Sequence, residues 1–279
     1  MTLAATGLPI AGPALAAPAA DPAPVIAAEL AFSARAGELG VAQGFLDNMA
    51  DDAIVFAPDP VSAKSVYSGR PPEKTPREGG TRLAWWPNWA GISRSGDLGF
   101  TTGPAEANGK RVVQYFTVWQ KQPDGGWKWV YDGGADSDAT KASGPDAPVS
   151  VLPPGDAKPM SADAAMTQVK AAEAALAVRV KADAVAGYRA ALSADARVQG
   201  SKLAPATTPE AIARELATRA KTIDFTGLGG GASQAGDLAW TYGDARWTGG
   251  RGHYVRIWQR RGETWKLVFD QILTVPSFP

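Results

Sequence analysis

The sequence repeats itself. Gly252 to Asp270 places β-branched and aromatic residues on both sides of Arg261-Gly262-Glu263, the pattern of two β-strands joined by a tight turn. Gln114 to Asp132 has the same design, with Asp124-Gly125-Gly126 at the turn. The correspondence extends outward from these hairpins. Ala50 to Ala53 matches Ser193 to Ala196, with Asp52 and Asp195 at an offset of 143, and Ser95 to Gly103 matches Ala235 to Gly243, with Asp97 and Asp237 at 140. Trp119 and Trp258 stand 139 apart; Trp127 and Trp265, and Asp132 and Asp270, stand 138 apart. A slowly shrinking offset is what shortening loops produce, so the pattern predicts one domain written twice.

A length of 279 residues suits two domains, each large enough to bury its own core. The division predicted is a tail over 1–24, a first domain over 25–140, a linker over 141–159 and a second domain over 160–279. Three- and four-residue spacing of Ile26, Leu30, Ala31 and Ala34 predicts a helix, and Val41, Phe45, Leu46 and Met49 a second. Ala53 to Phe56 reads as a strand. Residues 57–80, rich in Pro, Gly and charge, read as a loop with at most a broken helix. In the second domain Ser161 caps a long helical region through Arg189, with a break expected at Gly187. Thr208-Pro209-Glu210 opens another helix. Strands are predicted at 222–226, 237–242, 253–260 and 264–274. The five prolines at 145, 148, 153, 154 and 159 mark the linker.

Composition excludes several chemistries. Twenty-eight basic residues balance 28 acidic ones, so no global field draws nucleic acid or an anionic membrane. With no cysteine and one histidine, thiolate and imidazole-rich metal sites and a cysteine nucleophile are excluded; no cofactor is indicated. No segment reaches the roughly 20 apolar residues of a membrane span. Ala14-Leu15-Ala16 before Ala17 has the form of a signal-peptidase site, but the first basic residue is Arg35. Either the start is placed too far downstream and this is the end of an export signal, which predicts a periplasmic or secreted protein, or it is a low-complexity extension.

Helix, helix, short strand, helix and then long antiparallel strands is an α+β order in which helices pack on one face of a curved sheet. The motif Gly236-Asp237-Leu238-Ala239-Trp240-Thr241-Tyr242-Gly243, followed by Tyr254 to Arg260 and Trp265 to Asp270, resembles the SnoaL-like, ketosteroid-isomerase-like group of the nuclear-transport-factor-2-like superfamily, in particular its domains of unknown function. The resemblance covers about 110 residues of each half. It implies two tandem cystatin-like cones, each a half-barrel with a pocket between concave sheet and helices. It also implies association through the sheets, either as a pseudo-dimer within the chain or as a homodimer.

Candidate site residues follow. His253 is the one side chain whose ordinary pKa lies near neutrality, so it is a candidate acid or base; alternation groups it with Val255 and Ile257, apart from Tyr254, Arg256 and Trp258. If the first face is concave, His253 looks into the second pocket; otherwise it is structural. Its counterpart is Gln114. Asp270 and Asp132 end matching strands, and a carboxylate in an apolar cone could serve as a base, with Tyr242 or Tyr254 as donor, or could simply bond the backbone. Ketosteroid isomerases pair an aspartate base with a tyrosine donor in this pocket, but the flanking positions here do not map onto theirs. Trp85, Trp86 and Trp89 could form an aromatic wall or fill space; Gln114 and Asp132 complete the candidate ligand-binding set. Asp97 and Asp237 read as turn residues bonding their own backbone. Trp119, Trp127, Trp258 and Trp265 read as core. The glycines at 227, 229, 230 and 231 lack the Lys-Ser/Thr of a phosphate loop and read as a flexible connection. The leading expectation is a non-catalytic module binding a small apolar or aromatic molecule in a cone. The alternatives are an isomerase, cyclase or hydrolase, and a structural or protein-interaction module.

Overall fold

The computed structural model of the chain describes residues 20–71 and 74–276. The signal-like stretch of the tail lies outside them. The first half begins with α1 (Ala23–Leu39) and α2 (Val41–Asn48), followed by β1 (Met49–Phe56), β2 (Pro60–Ser62) and α3 (Ala63–Ser68). Then come β3 (Leu83–Trp85), β4 (Trp89–Ile92) and the long strands β5 (Leu98–Ala107), β6 (Lys110–Lys121) and β7 (Trp127–Ala135). A two-residue strand, β8 (Ser150–Val151), lies in the linker. The second half repeats the order with α4 (Ala162–Ala182), α5 (Ala184–Ala191), β9 (Leu192–Gln199), α6 (Pro209–Ala217), β10 (Asp224–Ala232), β11 (Leu238–Trp247), β12 (Gly250–Arg261) and β13 (Thr264–Val275).

Local chemistry explains most boundaries. Ser161 accepts the Ala164 amide and Thr208 the Ala211 amide, so α4 and α6 start where hydroxyl caps stand. The break after α4 falls at Asp183 rather than Gly187. Asp183 is extended at φ −154°, ends α4 and accepts the Ala186 amide to start α5. The described part of the Pro-rich 57–80 region, 57–71 and 74–80, is more ordered than its composition suggests, because α3 buries Ala63 and Tyr67 against the first core. Strand β10 continues through the glycine run that read as a connection.

Each half sets its helices on one face of a twisted sheet. In the first the order is β2-β1-β7-β6-β5-β4-β8, with β3 also on β5; in the second it is β10-β11-β12-β13-β9. In both, the strand after the helical pair runs parallel to the last strand: β1 with β7, β9 with β13. Alternation along the long strands gives each sheet two apolar faces. One faces its own helices; the other meets the opposite sheet. Phe116 stacks on Phe269 at 3.8 Å between ring centres, and Leu238, Trp240, Val255, Ile257, Val268 and Phe269 share one core with first-half residues.

The turns before β5 and β11 clasp each other. The Arg94 amide donates to Asp237 at 3.0 Å and the Gln234 amide to Asp97 at 2.9 Å, a reciprocal contact of the kind a two-fold axis generates. The linker is held rather than loose. Ser150 and Leu152 amides bond the first half, and Pro153 and Lys158 carbonyls accept from Gln259 and Arg260 of the second.

Candidate functional site

The faces of β6 and β12 decide what each cone contains. Tyr254, Arg256 and Trp258 point at the helices of the second half, and Tyr115, Thr117 and Trp119 occupy the matching positions in the first. The alternation expected from sequence is present, but the face carrying His253, Val255 and Ile257 turns toward the other half. Val255 and Ile257 are needed there to cover the opposite sheet, and His253 goes with them.

His253 is therefore remote from the second cone. Its Nε2 lies 2.8 Å from an Asp59 oxygen, its Nδ1 lies 3.0 Å from an Asp244 oxygen, and its ring rests 5.3 Å from that of Phe56. Asp59 belongs to the β1–β2 turn, so the histidine sits on the seam between halves. Arg251 also pairs with Asp59, and together they hold that exposed carboxyl down at about 2. Tyr242 is on the same seam, stacked on Trp240 at 5.6 Å. Gln114, the counterpart of His253, is buried beside Phe116 on the matching face.

The second cone is filled by a charge network. Arg256 is fully buried and donates to Asp270 at 2.7 Å, to Glu173 of α4 at 2.5 Å and to the Tyr188 hydroxyl at 3.1 Å. Arg219 takes the other Asp270 oxygen at 2.5 Å. The Arg256 guanidinium lies 3.8 Å from the Tyr254 ring centre and 4.1 Å from that of Phe225, a cation between two aromatic faces. Burial alone would raise the Asp270 carboxyl, but Arg219 and Arg256 outweigh it and hold Asp270 below its ordinary range. Tyr254 is pushed up, chiefly by burial. An ionised Asp270 already engaged by two guanidinium groups is poorly placed to take a substrate proton.

The first cone carries carboxylates and no cation among these groups. Glu29 of α1 is fully buried and accepts from the Thr101 hydroxyl and the Trp85 indole, and from the Trp119 indole at 2.8 Å. Glu173 receives the matching pair in the second cone, Thr241 at 2.6 Å and Trp258 at 2.7 Å. Asp132 is half-buried and accepts from Thr117 at 2.8 Å. Burial, then the charge of Glu29, push Asp132 up to about 8. Burial also raises Glu29, only partly offset by the hydrogen bonds from Thr101, Trp85 and Trp119. The buried Tyr115 hydroxyl on the same face has no hydrogen-bond partner among the described residues.

The glutamates were missed in the sequence because each is one polar residue on an otherwise ordinary helix. Their signal was nonetheless present: 144 residues separate Glu29 from Glu173, near the offset of the other matched pairs. The three tryptophans do not form one wall. Trp85 enters the first cone, Trp86 donates to the Ser143 carbonyl beneath Arg111, and Trp89 lies on the seam against Phe100 and Arg197. Of the repeated tryptophans, Trp119 and Trp258 are core, whereas Trp127 and Trp265 are only half-buried.

A cleft of about 820 Å³ opens at the mouth of the second cone. Ala220, Ile223, Trp247 and Ile272 form apolar wall, and Glu215, Thr218 and Arg219 supply polar groups beside it. The tip of β7, at Gly134 and Asp136, closes one side. Glu215 is held by the Ser201 amide and hydroxyl, and Arg219 joins the cleft to the Asp270 network. Among the described residues no three His, Cys, Asp or Glu side chains converge as a metal site, and no helix is long and apolar enough to cross a membrane.

No protein-family model matches the chain, and no curated protein does. Solved structures do show similarity. One is a protein of unknown function with a cystatin-like fold from Nostoc punctiforme, 16% identical, covering 43% of this chain and 98% of its own, with a TM-score of 0.35. A second is a nuclear-transport-factor-2-like protein of unknown function from Pseudomonas putida, 15% identical over 42% of this chain and 92% of its own, TM-score 0.36. A third is a ketosteroid isomerase-like protein from Erwinia carotovora, 12% identical over 40% and 96%, TM-score 0.34. By its own architecture, with helices seated on one face of a curved sheet in each half, the chain has an α+β fold of two cone-like halves in tandem.

Proposed function

We propose that the protein binds a small molecule with an apolar or aromatic body in the cleft at the mouth of the second cone. The observation that carries this reading is the cleft itself: about 820 Å³, with an apolar wall and a few polar groups at one side. That volume falls within the roughly 300–1,000 Å³ of small-molecule sites. Arg219 and Thr218 would orient a polar substituent while Trp247 and Ile223 cover the ring or chain. The test is a thermal-shift screen on the intact protein, followed by Trp247→Ala and Ile223→Arg. A ligand at ~100 times its dissociation constant should stabilise by roughly 2.7 kcal/mol. Both substitutions should weaken its binding at least about tenfold, ~1.4 kcal/mol. A ligand that both variants bind as tightly as the parent protein would refute the assignment to this cleft.

A second reading, an isomerase-, cyclase- or hydrolase-like activity, is favoured by the first cone. Its base would be Asp132 rather than Asp270, because burial raises Asp132 toward neutrality without a guanidinium partner whereas two guanidinium groups hold Asp270 down, and rather than His253, because that ring stands on the seam outside both cones. Turnover of an enone or ester lost in Asp132→Asn and kept in His253→Ala would support it. Export is proposed on the Ala14-Leu15-Ala16 motif alone; localisation of an epitope-tagged full chain tests it.

A further inference from the structure

The two cones share their buried acids but not the cations that answer them. Glu29 and Glu173 each accept from a threonine hydroxyl and an indole, Thr101 and Trp119 in the first cone, Thr241 and Trp258 in the second. Asp132 and Asp270 stand beside them at matching strand positions. In the second cone Arg256 bridges the pair, 2.5 Å from Glu173 and 2.7 Å from Asp270, and Arg219 holds the other Asp270 oxygen at 2.5 Å. In the first cone Thr117 stands in the place of Arg256, 139 residues earlier. No lysine or arginine among the described residues pairs with Glu29 or Asp132.

The inner of the two cation positions is filled in the first cone. Trp85 pairs with Ala105 as Phe225 pairs with Ala245, and its indole donates to the Glu29 oxygen that Thr101 and Trp119 leave free. The outer position is not filled. Asp132 accepts from Thr117 at 2.8 Å with one oxygen; the other has no partner among the described residues, and the side chain keeps part of its surface in solvent. Tyr115 supplies an independent sign of a ligand. It is 5% exposed, it shares the cone face with Thr117, and its hydroxyl has no hydrogen-bond partner among the described residues. The nearby Thr101 hydroxyl is spent on Glu29 and does not bond it. Burial, then the charges of Glu29 and Asp132, raise the Tyr115 hydroxyl, which sets it beside both acids. A buried carboxylate is stable with a proton or with a cation, and a hydrogen-bonded cation is the stronger partner.

We propose that the first cone binds a small organic cation, a protonated amine or an amidinium or guanidinium group, on the free oxygen of Asp132 with the Tyr115 hydroxyl as second acceptor. The ligand would hold the place that Arg219 holds in the second cone. There the Arg219 guanidinium lies 4.7 Å from the Tyr188 ring, whose counterpart at an offset of 143 is the buried Phe45, so the cation would again meet an aromatic side chain. This site is separate from the cleft of the second cone and does not rest on it.

The probes are benzamidine, a planar amidinium, and phenethylamine, a primary ammonium, titrated into the intact protein by calorimetry. The neutral analogue benzamide is the control. Burial and the charge of Glu29 raise Asp132 to about 8, and the cation takes the place of its proton, so the titration is run at pH 8.5. The titratable groups that act on Asp132 are Glu29 of α1, Tyr115 of β6 and Tyr131 of its own strand. Saturable binding of at least one cation is expected, at least about tenfold tighter than that of benzamide. Asp132→Asn should weaken it at least about tenfold, ~1.4 kcal/mol, and Tyr115→Phe should weaken it as well, with circular dichroism checking the fold of both. The proposal is overturned if neither cation binds, if benzamide binds as tightly, or if Asp132→Asn binds as well as the parent protein. Trp247→Ala reports on the cleft: binding lost there and kept in Asp132→Asn would move the cation to the second cone and overturn the assignment to the first.

Discussion

Asp132 and Asp270 hold matching strand positions yet are driven in opposite directions: burial and Glu29 raise Asp132, whereas Arg219 and the cross-ladder Arg256 outweigh burial at Asp270. Asp132 pairs with Thr117, Asp270 with Arg256. A hydroxyl offers one hydrogen bond; a guanidinium offers charge and several donors. The folded state holds the Asp132 proton up to about pH 8, whereas the unfolded chain releases it near 3.8. Between those values the folded state binds more protons, so this group lowers stability as pH rises. Asp132→Asn, which keeps the bond from Thr117, should gain on the parent protein by about 1–3 kcal/mol between pH 5 and 8, read from urea midpoints. A variant that loses ground over that range would contradict the assignment. Asp270 has the opposite sign: its stabilisation is present above about pH 3.8 and is lost as pH falls through its lower folded value. Removing one of its two cations, the one it shares with Glu173, should be severe. Arg256→Leu leaves Asp270 and Glu173 with an unbalanced buried charge and should cost about 3–5 kcal/mol at pH 7.

At the scale of elements, the turns before β5 and β11 join the halves. Asp237 is buried, accepts from Ser233 in its own turn, and takes the Arg94 amide from the other half. Asp237→Ala should therefore cost about 1–3 kcal/mol. Combined with Asp97→Ala in a double-mutant cycle, the coupling should differ from zero, since the two turns share one contact. Strict additivity would mean that the turns act separately. These aspartates show what was legible in the sequence. Gly-Asp-Leu before a strand announces a turn, and the 140-residue offset announces that it occurs twice, but neither says that the turns meet. The helices and long strands were legible because period and caps are local. The inward face of β12 was not: Val255 and Ile257 serve a helix or a second sheet equally well, and only the packing of the halves decides. That ambiguity leaves His253 open in the sequence between the cone and a structural place, and in the fold it stands on the seam. The glycine run misled for another reason, since a strand without side chains carries no periodicity to read.

For the whole molecule, the question is whether the seam makes one cooperative body of two cones. The seam is apolar at its centre, with Phe116 stacked on Phe269 and Trp89 beside them. It is polar at its edges, where Asp59 meets His253 and Arg251 and the two turns clasp. An interface with a fully buried aromatic centre resembles a domain core cut in half more than the loose contact of independent domains. The linker adds to this, being bonded to the first sheet at Ser150 and Leu152 and to the second at Pro153 and Lys158. Neither cone should then unfold without exposing the other's sheet. Phe269→Ala, at a side chain with no exposed surface, should cost about 3–5 kcal/mol. It should also lower the stability of both halves together, although Phe269 belongs to the second. Hydrogen exchange followed residue by residue is the measurement, because it reports α1 and β6 separately from α4 and β12. Equal loss of protection in both sets is the outcome that one body requires. Loss confined to α4, β12 and β13 would show two bodies held in contact, each stable on its own.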